Sequence, residues 1–284
     1  MSARVRGLAA WLAIVVMASG AGACTRENLQ TRADRLAPFA QYSAPAGGGR
    51  APLVILASGC GGVVGPDGPN RVMNNYAEAA ARAGAYAVIV DSFQPRGIGR
   101  EAAIRSVCTA LRLRGDERAG DIVAGEELAR RHWGNRFTGV ILAGWSHGGW
   151  SVMELLSDGP AARRIGSLRL SETHASQHPD AVVLYYPYCG LLNGAKGWAF
   201  KGPLLLVTAQ LDTSIGPAGK CRSIVVKAMG DGSGVRSVDV PGMTHAFDEE
   251  IQSPDSKFVY NPEAAAKSEQ LFAGFIGEQV VRLH

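Results

Sequence analysis

Several features that would direct the 284-residue chain elsewhere are missing from it. It has no Cys-x-x-Cys pair and no cluster of histidine and cysteine, so the ligand spacing of a zinc site is absent and no metal is expected. Its net charge of +4 comes from scattered arginines and no basic block, which removes the electrostatic footprint of a nucleic-acid-binding surface. No internal repeat runs along it. The apolar run from Leu8 to Met17 is short for a membrane-spanning helix. What remains is 46% apolar residues, ample for one large core, and 36 glycines, many of them at strand ends where αβ turns need them.

The first residues read as a targeting segment. Arg4 and Arg6 precede the apolar run, and small residues lead to Ala21-Gly22-Ala23 before Cys24. The pattern predicts a signal peptide over 1–23 and export. A cysteine directly after the cleavage point also suits a bacterial lipoprotein lipidated on Cys24, although Ala21 stands where a leucine is usual. Both readings cut the same bond. The protein is then periplasmic or lipid-anchored in a bacterial envelope, and a membrane is met only through that anchor. Residues 24–50, polar and then rich in Pro, Ala and Gly, read as a tether or loose lead-in.

From Pro52 onward, apolar runs alternate with helical patterns, which predicts a mostly parallel twisted sheet with helices on both faces over residues 51–284. The runs are Leu53–Ser58, Tyr86–Asp91, Val140–Ser146, Ala181–Tyr186, Leu204–Asp212 and Val235–Val240. Their interiors are near-continuous Val, Ile and Leu, as strands buried on both faces require. Helices are expected around Val72–Ala83, Glu117–His132, His147–Leu156, Pro217–Met229 and Glu263–Arg282. Residues 158–180 fit no strand and read as an excursion above the sheet, or a small cap.

The chemistry concentrates at Gly144-Trp145-Ser146-His147-Gly148-Gly149, where an apolar strand enters a Gly-x-Ser-x-Gly turn before a helix. Such a turn lifts a serine hydroxyl above the sheet edge. A hydroxyl is a weak nucleophile until an adjacent base, oriented by a carboxylate, activates it. In the α/β-hydrolase order, serine, acid and histidine follow one another along the chain. Asp212 follows the strongest strand and His245 follows the next, both at the carboxyl ends where ligands bind in open α/β sheets. Asp248 and Glu249 are rival acids, but stand too close in sequence to His245 to face its ring easily. His132 ends a helix, His284 is terminal, and His174 and His178 precede the acid.

Acyl transfer also needs hydrogen-bond donors for an oxyanion. One is the backbone N–H of His147, whose side chain points away from the serine; the other comes from the loop after the first strand, Ser58-Gly59-Cys60-Gly61-Gly62, at Cys60 or Gly61. No Gly-Lys-Ser/Thr follows that loop, which disfavours a phosphate cradle. A polar cluster, Asp91-Ser92-Phe93-Gln94-Pro95-Arg96-Gly97, follows the next strand. Its Arg96 either clamps a substrate carboxylate or pairs with a nearby acid to hold the loop.

Together these residues resemble the dienelactone hydrolase family of α/β-hydrolases. The similarity rests on Gly59-Cys60-Gly61-Gly62, Asp91-Ser92-Phe93 with Pro95-Arg96-Gly97, the turn at 144–149, Tyr186-Pro187 with Cys189, Asp212, and His245-Ala246-Phe247. It spans about residues 50–282. The resemblance implies hydrolysis of a small-molecule ester or lactone through an acyl-enzyme, with no cofactor. Two departures matter: dienelactone hydrolases proper use a cysteine nucleophile where this chain has Ser146, and the loop after the first strand lacks the glutamate that holds that cysteine. The dienelactone substrate therefore does not carry over. An acyltransferase and a non-enzymatic envelope binding module on the same fold are the alternatives. With Cys24 set aside, four cysteines remain in an oxidising compartment. The layout of the strands and loops that carry them suggests Cys60–Cys108 and Cys189–Cys221.

Overall fold

The computed structural model describes residues 27–65, 68–158, 164–170, 179–194, 197–215, 218–230, 232–250 and 256–284. The expected leader at 1–23, Cys24, His174 and His178 lie outside the described residues.

Seven strands make the central sheet. From one edge they run Val235–Val240, Leu204–Ala209, Ala181–Tyr185, Phe137–Trp145, Ala51–Ala57, Tyr86–Val90 and Gln41–Ser43. All pairings are parallel except the last, where Gln41–Ser43 runs antiparallel to Tyr86–Val90. Ala51–Ala57, Tyr86–Val90, Ala181–Tyr185 and Leu204–Ala209 are buried at every position, the reason their sequences are unbroken apolar runs. The edge strand Val235–Val240 is only partly covered and correspondingly alternates Val with Arg, Ser and Asp.

Seven α-helices accompany the sheet among the described residues: α1 (Leu29–Leu36), α2 (Arg71–Arg82), α3 (Arg100–Ser106), α4 (Gly115–Trp133), α5 (His147–Asp158), α6 (Ala218–Met229) and α7 (Pro262–Leu283). α4 and α5 pack side by side, with α1 outside α4, while α2 pairs with α7. Under α2 and α7 lies an aromatic cluster. Trp145 stacks on Tyr185 with ring centroids 5.2 Å apart, and Tyr76 and Phe272 close around the pair.

Residues 27–43 correct the expected tether. Leu29, Ala33 and Leu36 give α1 a buried face against α4, and Gln41–Ser43 completes the sheet. The segment reads as polar because its fourth inward side chain is Arg32. Only 2% exposed, Arg32 is bonded to Asp121 at 2.6 Å, Glu27 at 2.7 Å and Ser167 Oγ at 2.9 Å. Charge there fills the place that apolar residues take elsewhere, so the domain extends back at least to Glu27 rather than beginning at 51.

Within 158–180, where no strand is expected, two short strands stand among the described residues. Arg164–Ile165 and Leu168–Arg169 form a short hairpin, and Leu168–Arg169 pairs with Glu27–Asn28. This hairpin docks on α4 and α1.

Both expected disulfides are present. Cys60–Cys108 and Cys189–Cys221 have Cα atoms 5.2 and 5.4 Å apart, and their partners stand 48 and 32 residues apart in sequence. In the chain-entropy picture each restricts the unfolded state by about 4 kcal/mol. Two such bonds fit an oxidising compartment.

Candidate active site

The strand Phe137–Trp145 passes into α5 through a single residue, Ser146, whose φ of +49° lies in the left-handed region. That conformation costs a non-glycine residue about 1–3 kcal/mol and holds only where its surroundings over-determine it. Here they do. The Ser146 N–H donates to the Tyr185 carbonyl at 2.9 Å, and its own carbonyl accepts from the N–H groups of Trp150 and Tyr188 at 3.0 and 3.1 Å. The flanking glycines are required by close approach. A Cβ on Gly144 would stand 2.6 Å from the Gly148 carbonyl oxygen, and one on Gly148 would stand 2.0 Å from that of Ala57. Any side chain at either position would push the turn off the sheet.

Two loops at the carboxyl edge bring the expected acid and base to this serine. His245 Nε2 lies 2.8 Å from Ser146 Oγ, and His245 Nδ1 lies 2.6 Å from Asp212 Oδ2. The other Asp212 oxygen accepts from the Ser214 N–H at 2.8 Å, which fixes the carboxylate toward the ring. All three residues are nearly closed off from solvent, at 8% exposure for Ser146, 5% for Asp212 and 6% for His245. With Nδ1–H donated to Asp212, Nε2 presents its lone pair to the serine hydroxyl, the tautomer that proton abstraction requires.

The rival acids have other roles. Asp248 accepts from the Tyr76 hydroxyl at 2.7 Å and from the Tyr186 hydroxyl. Burial raises its carboxyl above the usual range, and the two tyrosine hydrogen bonds offset part of that. The Tyr186 ring in turn meets the His245 ring edge-on with centroids 4.8 Å apart. Asp248 thus anchors the tyrosine that backs the histidine. Glu249 reaches the glycine loop: its carboxylate would lie 3.5 Å from a Cβ on Gly59 and 3.3 Å from one on Gly61. Burial, then Asp248, pushes the Glu249 carboxyl up to about 7, against the pull of Arg100. The glycine loop carries no glutamate of its own, and this one approaches it from the histidine's side.

The two loop positions considered for oxyanion binding separate in the structure. Cys60 lines the same cavity as Ser146, His147 and His245. Gly61 faces a neighbouring cavity with Phe93 and Arg100, and its carbonyl accepts from Arg100 at 3.0 Å. The His147 side chain is buried and turned to Arg118, whose Nη1 lies 3.0 Å from His147 Nδ1. Burial, then the adjacent guanidinium, pushes this imidazole well below the usual histidine range, so it is neutral. Arg96 is resolved against the substrate clamp. Its guanidinium holds Asp121 through two bonds of 2.8 and 2.9 Å and donates to the Ser92 carbonyl at 2.7 Å, so it fastens its own loop to α4.

Ser146 opens on a cavity of about 280 Å³ walled by Trp150, Tyr188, Ile215 and Phe258, with the Cys60–Cys108 disulfide on one side. A larger cleft of about 760 Å³ begins at His245, Ser214 and Phe258 and runs outward past Arg105 and Lys257. The serine therefore faces a compact apolar space, while the histidine also borders an open one edged with charge. Among the described residues no group of three His, Cys, Asp or Glu side chains is placed to hold a metal ion. Nor is any helix among them long and apolar enough to cross a membrane.

The sheet order, the serine at a strand-to-helix turn, and an acid and a base at the next strand ends define an α/β-hydrolase fold. Solved structures share it. A dienelactone hydrolase candidate from Klebsiella pneumoniae aligns over 84% of this chain and 91% of its own, with a TM-score of 0.59 and 17% identity. Esterase 2 of Thermogutta terrifontis aligns over 84% and 88%, with a TM-score of 0.58 and 17% identity. Est1E of Butyrivibrio proteoclasticus aligns over 85% and 95%, with a TM-score of 0.55 and 16% identity. No protein-family model and no curated protein matches the chain by sequence.

Proposed function

We propose that this chain is an exported serine hydrolase that cleaves a small-molecule ester or lactone through an acyl-enzyme. The observation that carries the reading is the continuous hydrogen-bonded line from Asp212 through His245 to Ser146 Oγ. In this reading His245 takes the hydroxyl proton as Ser146 attacks the carbonyl carbon. Asp212 holds the imidazole and stabilises its cation, and the oxyanion settles between the N–H groups of Cys60 and His147. Collapse expels the alcohol, protonated by His245. Water then repeats the sequence to release the acid. Export rests on the leader-like residues 1–23, and Cys24 is the lipidation site if the chain is anchored.

A fluorophosphonate probe tests the nucleophile. The Thermogutta esterase 2 structures include adducts of tabun, paraoxon and sarin, organophosphorus reagents of the same kind. Wild-type protein is expected to be labelled, and Ser146→Ala to show no label while its thermal unfolding is unchanged. An unlabelled, folded wild type sinks the proposal. Cavity size makes a second prediction, since a space of about 280 Å³ suits a compact acyl group. p-Nitrophenyl butyrate should exceed the palmitate in kcat/KM by at least about tenfold, the scale that one or two ill-fitting methylene groups set in an apolar pocket. Equal rates across chain length would show that the acyl group does not use this cavity.

A further inference from the structure

Behind the serine lies a buried cation that the chemistry above does not use. Arg118, on α4, is completely buried. Such a charge is normally offset by a bonded carboxylate. Among the described residues none bonds it. Its Nη2 donates to the Ser58 carbonyl at 2.9 Å, its Nη1 meets His147 Nδ1 at 3.0 Å, and the Phe93 ring covers it with Cζ 4.8 Å from the centroid. The two bonded partners are not equivalent to any two polar groups. Ser58 begins the loop that carries the Cys60 N–H, and His147 carries the other N–H, so one planar guanidinium ties together the two segments that must present donors to one oxygen.

Building on the proposed acyl transfer, we propose that Arg118 is the positioning residue of the oxyanion site, fixing the spacing of the Cys60 and His147 N–H groups and setting a positive charge behind them. The fork geometry of a guanidinium spans both partners, which a lysine ammonium does not reproduce. Because Arg118 donates to Nδ1, the His147 ring is neutral with its proton on Nε2, and the ring is held by that one hydrogen bond and by its packing on Trp150, its buried Nε2 meeting no partner among the described residues. The charge attracts the dipole of a neutral ester carbonyl weakly and the full negative charge of the oxyanion more strongly. An interaction of that kind raises kcat and leaves KM nearly alone.

The experiment is a steady-state comparison of wild type, Arg118→Lys and Arg118→Gln on p-nitrophenyl butyrate, with thermal unfolding measured for each. The expected result is a fall in kcat of about 10²-fold for Arg118→Gln, the scale of losing one oxyanion donor. KM should stay within threefold, and Arg118→Lys should recover only part of the loss. A folded Arg118→Gln with wild-type kcat, or with its loss entirely in KM, overturns the proposal, whereas a wild type that turns over no ester overturns the serine-hydrolase reading first. Should the variants not fold, nitrogen-15 NMR of His147 in the wild type at pH 7 decides. The neutral Nε2–H tautomer supports the clamp, and a cationic ring or an Nδ1–H tautomer refutes it.

Discussion

His245→Ala is expected to lower kcat for p-nitrophenyl butyrate by about 10⁶-fold, and Asp212→Asn by about 10⁴-fold, because members of a nucleophile–base–acid unit fail nearly as a set. The geometry gives the two losses different causes. Without His245, Ser146 Oγ has no base at 2.8 Å, and only Asp212 remains behind it. With asparagine at 212, the amide can donate to Nδ1, which drives the imidazole into the tautomer that carries its proton on the serine side. The base is then present and facing the wrong way. Steady-state rates on the purified variants check both. Activity surviving within tenfold of wild type in His245→Ala would mean that another group takes the proton, and Asp248 is excluded as that group by its two tyrosines.

The second large effect is on stability. Asp121 is fully buried and bonded to Arg32 at 2.6 Å and to Arg96 at 2.8 and 2.9 Å. Asp121→Asn leaves the Arg96 guanidinium without its counter-charge and Arg32 with Glu27 alone, and removing one partner of a buried pair costs about 3–5 kcal/mol. Burial alone would raise the Asp121 carboxyl, but Arg96 and Arg32 outweigh it and hold it below the usual range. A carboxyl lowered by folding contributes stability above its unfolded value, about 3.9, and loses it as pH falls through the folded value. Denaturant unfolding should therefore show the full gap between wild type and Asp121→Asn at pH 7, and a narrowing gap below about pH 4. A gap that widens in acid would contradict the assignment of the charge.

These two predictions draw on unequal parts of the sequence. The strand Leu204–Ala209 and its neighbours are legible because burial on both faces demands unbroken apolar runs, and few other structures demand the same. Ser146 and Asp212 are legible because each closes such a strand, and His245 because it follows the next strand in the order serine, acid, histidine. Asp121 and Arg32 are not legible. They lie 89 residues apart, and each is an ordinary charged residue on an ordinary helix until α1 docks on α4. The same holds for Arg118 and for the Tyr76–Asp248–Tyr186 group, whose partners come from separate elements. Arg96 shows the boundary. Its loop position admits two roles, and only the packing of α4 beneath it chooses the acid over a substrate.

Trp150 gives this site an optical property. The indole lies in the wall of the cavity beside Ser146 and is only 2% exposed. Its edge donates to Glu154 and its face meets the Tyr188 ring 5.1 Å away. An acyl group entering that space displaces solvent from one of the few surfaces of the ring that solvent can reach. The chain has five tryptophans, so the part of an emission change that is lost in Trp150→Phe is the part that reports occupancy of the cavity, and it does so without a chromogenic leaving group.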